Sequence, residues 1–129
     1  MNILFPGSFN PFHVGHLSIC QKVEKLFPDS NLFVYQLRNP DKPKPQPLKV
    51  MGYDYGSTTE NIDELCKRLD IDLIVRGMRT PLDTVGDDYW ISYVKNNTSC
   101  ELIYIQADPH NVGISSTLIR EQTTRKWTV

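Results

Sequence analysis

Apolar residues recur along this chain with two spacings. Short runs at 2–5 (NILF), 31–37 (NLFVYQL), 72–75 (DLIV) and 101–105 (ELIYI) are rich in aliphatic and β-branched residues, as expected for strands covered on both faces. Pro6-Gly7 reads as the turn that stops the first of them. A weaker run at 48–53 (LKVMGY) is read as one more short strand. Between these runs the spacing changes to three and four. Val14, Leu17, Ile19, Cys20, Val23, Leu26 and Phe27 form a helical stripe over 14–27, ended by Pro28-Asp29-Ser30. Ile62, Leu65, Cys66 and Leu69 share one face of a helix predicted over 58–69, with Thr58 or Thr59 as its cap. Further helices are predicted over 87–96, carrying Tyr89, Trp90, Tyr93 and Val94, and over 115–124, where Ser115 suits the N-cap. The three aromatic residues of 87–96 are read as core or interface groups.

Strands that alternate with helices imply a parallel sheet with helices on both faces, and such sheets bind ligands beyond the C-terminal ends of their strands. The alternation is interrupted once, by RNPDKPKPQP, whose four prolines exclude a helix or a central strand. Over 38–49 this stretch carries four basic residues and one acidic one.

Composition narrows the class. At 129 residues the chain is expected to be one domain. Its 14 Lys and Arg against 15 Asp and Glu argue against a general nucleic-acid binder. No apolar run approaches the ~20 residues of a membrane-spanning helix. MNILFPGS does not read as a signal peptide. Cys20, Cys66 and Cys100 are widely spaced, without zinc-site pairing, and are read as buried thiols in a reducing cytoplasm.

Polar segments follow the strands and open on one sheet edge. In GSFNPFHVGH, residues 7–16, Gly7 and Pro11 shape a tight turn and Gly15 lets the backbone approach a ligand. Ser8 offers a hydroxyl. His13 and His16 stand at the start of a helix, whose N-terminus favours anions. Arg76-Gly77-Met78-Arg79 follows the strand at 72–75, and Ser115-Ser116-Thr117 opens the last helix.

GSFNPFHVGH resembles the GxFxPxHxGH signature of the nucleotidyltransferase superfamily. IVRGMRT, residues 74–80, is similar to the strand-then-RGxR segment of bacterial phosphopantetheine adenylyltransferases, and GISSTLIRE, residues 113–121, to their ISSTxIR segment. The fold this resemblance implies is α/β, a Rossmann-like parallel five-stranded sheet with helices on both faces, of the adenine nucleotide alpha-hydrolase or HUP-like nucleotidyltransferase type, spanning residues 1–129 as a single domain. The implied chemistry is attack by an acceptor phosphate on the α-phosphate of a nucleoside triphosphate, with pyrophosphate leaving and no covalent enzyme intermediate.

The resemblance also implies roles. His16 donates to the α-phosphate in the transition state. His13, at a position that is Thr in many bacterial relatives, contacts the triphosphate. Gly7, Ser8, Phe9, Gly15, Gly77, Arg79, Ser115, Ser116 and Thr117 bind ATP. Ser8, Arg76 and Lys42, or Lys44 in its place, bind the acceptor phosphate. Lys42 and Arg79 join the two histidines as catalytic groups. Mg²⁺ is expected on the phosphates, with no dedicated protein metal site. The expected substrates are ATP and 4′-phosphopantetheine, in a cytoplasmic homo-oligomer with no nucleic-acid or membrane partner. Nicotinamide or nicotinate mononucleotide is the alternative acceptor, followed by cytidylyl transfer or a non-catalytic nucleotide sensor. The chain departs from the family pattern in four ways: no helix follows the Lys/Pro loop, TPLDTVGDDYW forms a short insertion with Trp90 where a carboxylate is expected, Asn10 replaces an Asp, and the sequence given lacks a long helix after 113–121.

Overall fold

The structure, a computed structural model, describes residues 1–9, 11–39, 41, 52–78 and 87–107. Five parallel strands form one sheet in the order β3-β2-β1-β4-β5. They are β1 (Asn2–Gly7), β2 (Asn31–Leu37), β3 (Asp54–Thr58), β4 (Leu73–Met78) and β5 (Glu101–Gln106). Among the described residues the helices are α1 (Val14–Leu26), α2 (Ile62–Leu69) and α3 (Asp88–Asn97). The Rossmann-like α/β architecture read from the sequence is therefore the observed one. The helix expected at 115–124 lies outside the described residues. Among those described, no helix is long and apolar enough to cross a membrane.

Successive strand residues point to opposite faces, so each strand feeds two cores. Ile3, Phe5, Val34, Val75 and Ile105 pack with Ile19, Cys20 and Val23 of α1. Leu4 and Ile74 pack with Ile62, Leu65 and Cys66 of α2 and Val94 of α3. Removing a side chain as large as Ile74 from such a core costs roughly 2–5 kcal/mol.

Several element boundaries differ from those the sequence suggests. The third strand is not 48–53 but β3, DYGST, further along. Its polar composition hides it, yet among the described residues it is the sheet edge, pairing only with β2 and leaving Asp54 and Tyr55 exposed. Gly56 is required there because Tyr35 lies over it, where an added Cβ would come within 2.7 Å of the ring. Thr58 belongs to this strand, opposite Leu37, so neither it nor Thr59 caps a helix. The N-cap of α2 is Asn61, whose side chain donates to Glu64 Oε1 and leaves the helix end uncapped. β1 continues through Pro6-Gly7, and β4 continues through Arg76 to Met78 because that stretch pairs residue by residue with β5. All three cysteines are free; Cys20 and Cys66 are buried, whereas Cys100 is half-buried and donates its thiol to Ile71 O at 3.1 Å.

Candidate active site

The topology opens a crevice at one place. β1 and β2 are in register along all of β1, but β1 and β4 pair only at Ile3–Leu73 and Leu4–Ile74. Beyond Leu4 the two central strands part. This is also where the strand order changes direction, the ligand position in open α/β sheets. Gly7 to Gly15 lead out of β1 on one side of it, and Arg76 and Gly77 end β4 on the other.

The segment after β1 is built around aromatic rings. Phe9 holds a φ of 43°, a left-handed conformation costing a bulky residue about 1–2 kcal/mol. Its buried ring offsets that by meeting Phe5 and Phe12 edge-on, with centroids 5.1 and 5.3 Å away. Gly7 is needed beneath it, since a Cβ there would lie 2.8 Å from the Phe9 ring. Buried Gln36 of β2 fixes the backbone by donating Nε2 to Ser8 O at 3.1 Å and Phe9 O at 3.4 Å, while its own oxygen accepts from Ser57 Oγ of β3 at 3.1 Å.

The two histidines cap α1 reciprocally. His13 is the N-cap, and its Nδ1 accepts the Gly15 N–H at 3.1 Å. His16 reaches back so that its Nδ1 accepts the His13 N–H at 3.1 Å. The rings stack with centroids 3.7 Å apart and planes 21° apart. An Nδ1 that accepts carries no proton, so each neutral ring bears its proton on Nε2. Phe9 and Phe12 also flank His16, at 4.9 and 5.2 Å between centroids. Burial, helped by the nearby His13, pushes the His16 pKa down to about 3, so its ring is neutral at physiological pH. A neutral Nε2–H is a hydrogen-bond donor that needs no protonation. Gly15 serves this pair in a way the sequence reading does not foresee. The space a Cβ would fill is occupied by the His13 ring, 2.9 Å away.

Arg76 of β4 is engaged. Its Nε and Nη2 donate to Asp87 at 3.2 and 3.4 Å, and its guanidinium carbon sits 4.2 Å from the Trp90 ring centre. Tyr104 of β5 donates to the same Asp87 carboxylate at 2.8 Å. Gly77 packs on α1, where a Cβ would meet Ile19 at 3.3 Å. Ile19 lies one turn after His16, so the end of β4 abuts the histidine-capped helix. Trp90 and Tyr93 pack on the α2/α3 core as expected, but Tyr89 is 76% exposed. With Glu60, Asn61 and Ile62 these aromatics line a cleft of about 220 Å³.

The structure thus gathers Gly7, Ser8, Phe9, His13, Gly15, His16, Arg76 and Gly77 along one rim. Lys42, Lys44, Arg79, Ser115, Ser116 and Thr117 lie outside the described residues. Gln36 and Tyr104 escape a motif reading because strand register alone sets them beside Gly7 and Arg76, and Asp87 because it meets Arg76 only through a side-chain contact across the fold. Arg38, just past β2, is likewise missed; its Nε is buried without a partner among the described residues. Among the described residues no group of three or more His, Cys, Asp or Glu is placed to hold a metal ion.

A helix N-terminus, which favours anions, set beside a switch-point crevice is a nucleotide-binding layout. Known proteins agree. Residues 4–51 match the Cytidylyltransferase-like family. The phosphopantetheine adenylyltransferases of Mycoplasma mycoides subsp. mycoides and Mycoplasma capricolum subsp. capricolum are 32% and 29% identical, over 92% of this chain and 93% of theirs. That of Streptococcus pneumoniae is 31% identical over 92% of this chain and 80% of its own. The lipopolysaccharide core biosynthesis protein of Thermoplasma volcanium shares the fold, with a TM-score of 0.55 at 15% identity, over 84% of this chain and 98% of that one. The protein is a nucleotidyltransferase. More particularly, it belongs to the family of the phosphopantetheine adenylyltransferases and is an enzyme of the adenylyltransferase type.

Proposed function

We propose that this enzyme transfers AMP from ATP to 4′-phosphopantetheine in the cytoplasm, yielding dephospho-CoA and pyrophosphate. An oxygen of the acceptor phosphate forms a bond to the α-phosphorus, and the bond from that phosphorus to the bridging oxygen of pyrophosphate breaks. The observation that carries this reading is the reciprocal His13–His16 cap, which holds two Nε2–H donors at the N-terminus of α1. Charge grows on the α-phosphoryl and bridging oxygens as the bond breaks, and a preformed donor stabilises it without reorganising. His16 is that donor in this reading, and His13 and Ser8 contact the triphosphate. Arg76 takes the acceptor phosphate, and the rest of the acceptor extends past Trp90 into the aromatic cleft between the start of α2 and α3. Lys42, Arg79 and Ser115–Thr117 complete the cradle by resemblance alone.

The donor set suits a metal that arrives on the triphosphate. Among the described residues the rim offers imidazole and guanidinium N–H groups. Mg²⁺ bound to the phosphates supplies further neutralisation of their charge.

A single assay tests the reading. The protein is mixed with ATP and Mg²⁺ and offered 4′-phosphopantetheine, nicotinamide mononucleotide or phosphocholine, and pyrophosphate release is measured. Release with 4′-phosphopantetheine is expected. Release with nicotinamide mononucleotide alone would overturn the acceptor, and release with none would overturn the catalytic assignment.

A further inference from the structure

Arg76 and Tyr104 face each other across β4 and β5, and both reach Asp87 at the start of α3. Asp87 occupies the N-cap position of α3, where an Asp side chain ordinarily accepts from the first helical N–H groups. Here it makes no such bond. Its carboxylate turns to the sheet, where it accepts from Arg76 Nε and Nη2 and from the Tyr104 hydroxyl. The Arg76 and Asp87 side chains are only 23% and 18% exposed, so this pair is not a solvated surface contact. Trp90, one turn into α3, covers a face of the guanidinium at 4.2 Å.

A guanidinium has five N–H groups in a rigid plane. Asp87 takes the Nε–Nη2 edge, and Trp90 fixes the tilt of the plane. Among the described residues Asp87 leaves the outer edge, Nη1 with the second hydrogen of Nη2, the fork that can take a phosphate with two parallel bonds. We propose that Asp87 is a positioning residue: braced by Tyr104 and with Trp90 behind, it presents the outer edge of Arg76 to the acceptor phosphate. The inference deepens the proposed function and rests on Arg76 meeting that phosphate. It has a clear rival. A carboxylate on an anion-binding arginine can instead compete with the ligand, and then removing it improves binding.

The test uses the full-length Asp87→Asn, Asp87→Glu and Tyr104→Phe variants. Steady-state kinetics are measured against 4′-phosphopantetheine and ATP separately, and binding of inorganic phosphate is measured by calorimetry. Asp87→Asn should raise the KM for the acceptor about tenfold, weaken phosphate binding by a similar factor and leave the KM for ATP within about twofold. Asp87→Glu should recover part of the loss. Tyr104→Phe, which keeps the Arg76–Asp87 pair, should show the same effect at about two- to threefold, and it covers the case in which Asp87→Asn folds poorly. In Arg76→Ala the Asp87→Asn change should cost nothing further, because the two act as a unit. An unchanged or lower acceptor KM in Asp87→Asn, or equal losses for both substrates, would overturn the proposal. If the wild-type protein uses no offered acceptor, the functional reading fails, and the phosphate calorimetry alone decides the role of Asp87.

Discussion

His13 and His16 lie face to face, 3.7 Å between ring centroids, and each commits its Nδ1 to a backbone N–H of the same helix end. The arrangement serves fold and chemistry together. It satisfies two N–H groups that a helix start leaves open, and it fixes both neutral rings as Nε2–H donors. Replacing His16 by Ala removes a donor and a cap at once. We expect kcat to fall by about 10²-fold or more, as for loss of one transition-state donor. Steady-state pyrophosphate release checks this, and near-normal turnover would remove His16 from its role.

The depressed His16 pKa makes a statement about acid stability. Folded, the ring titrates near 3; unfolded, at the ordinary histidine value of 6.5. Between these values the unfolded chain binds the extra proton, so stability rises with pH through the window. The contribution is fully present above about 6.5 and is lost as pH falls toward 3, at up to about 1.4 kcal/mol per pH unit. Urea denaturation of wild type and His16→Gln at several pH values should show this slope in the wild type and its reduction in the variant. Parallel curves would refute it.

Gly15→Ala places a methyl group where the His13 ring lies. The ring must move, and its stack on His16 with it. Turnover should drop by about tenfold or more while the far-UV circular dichroism stays that of the wild type. Turnover equal to wild type would show that the stack is not needed.

Gln36→Ala removes the side chain that joins Ser57 of β3 to the carbonyls of Ser8 and Phe9. Ser8 and Ser57 are exposed to water, but the bond to the Phe9 carbonyl is buried, so a loss of about 1–3 kcal/mol is expected from thermal or urea unfolding. ATP affinity should weaken as well, since the strained turn at Phe9 loses its brace.

How much of this was legible beforehand follows from where the information sits. The loop from Gly7 to His16 announces itself because its unusual residues are crowded into ten positions, and β1, β2, β4 and β5 are apolar enough to be read from their composition. β3 lies away from the apolar run at 48–53 because an edge strand does not need apolar residues, and DYGST has few. Arg76 reads as a free cation after a strand; its position within β4, opposite Tyr104, emerges only once β4 and β5 are aligned. Gln36 looks like an ordinary polar residue in a β run, and only the pairing of β1, β2 and β3 puts it beneath Ser8. The residues proposed to touch ligand stand out as a motif, and those that hold them in place do not, because register across strands leaves no local mark.

The central claim is that His16 is a neutral donor through Nε2. Two-bond nitrogen–proton NMR of protein labelled with ¹⁵N-histidine tests it most directly. His16 should show the Nε2–H tautomer at pH 7, stay untitrated down to pH 5, and shift when ATP is added. An Nδ1–H tautomer, a titration near 6.5, or indifference to ATP would contradict the account.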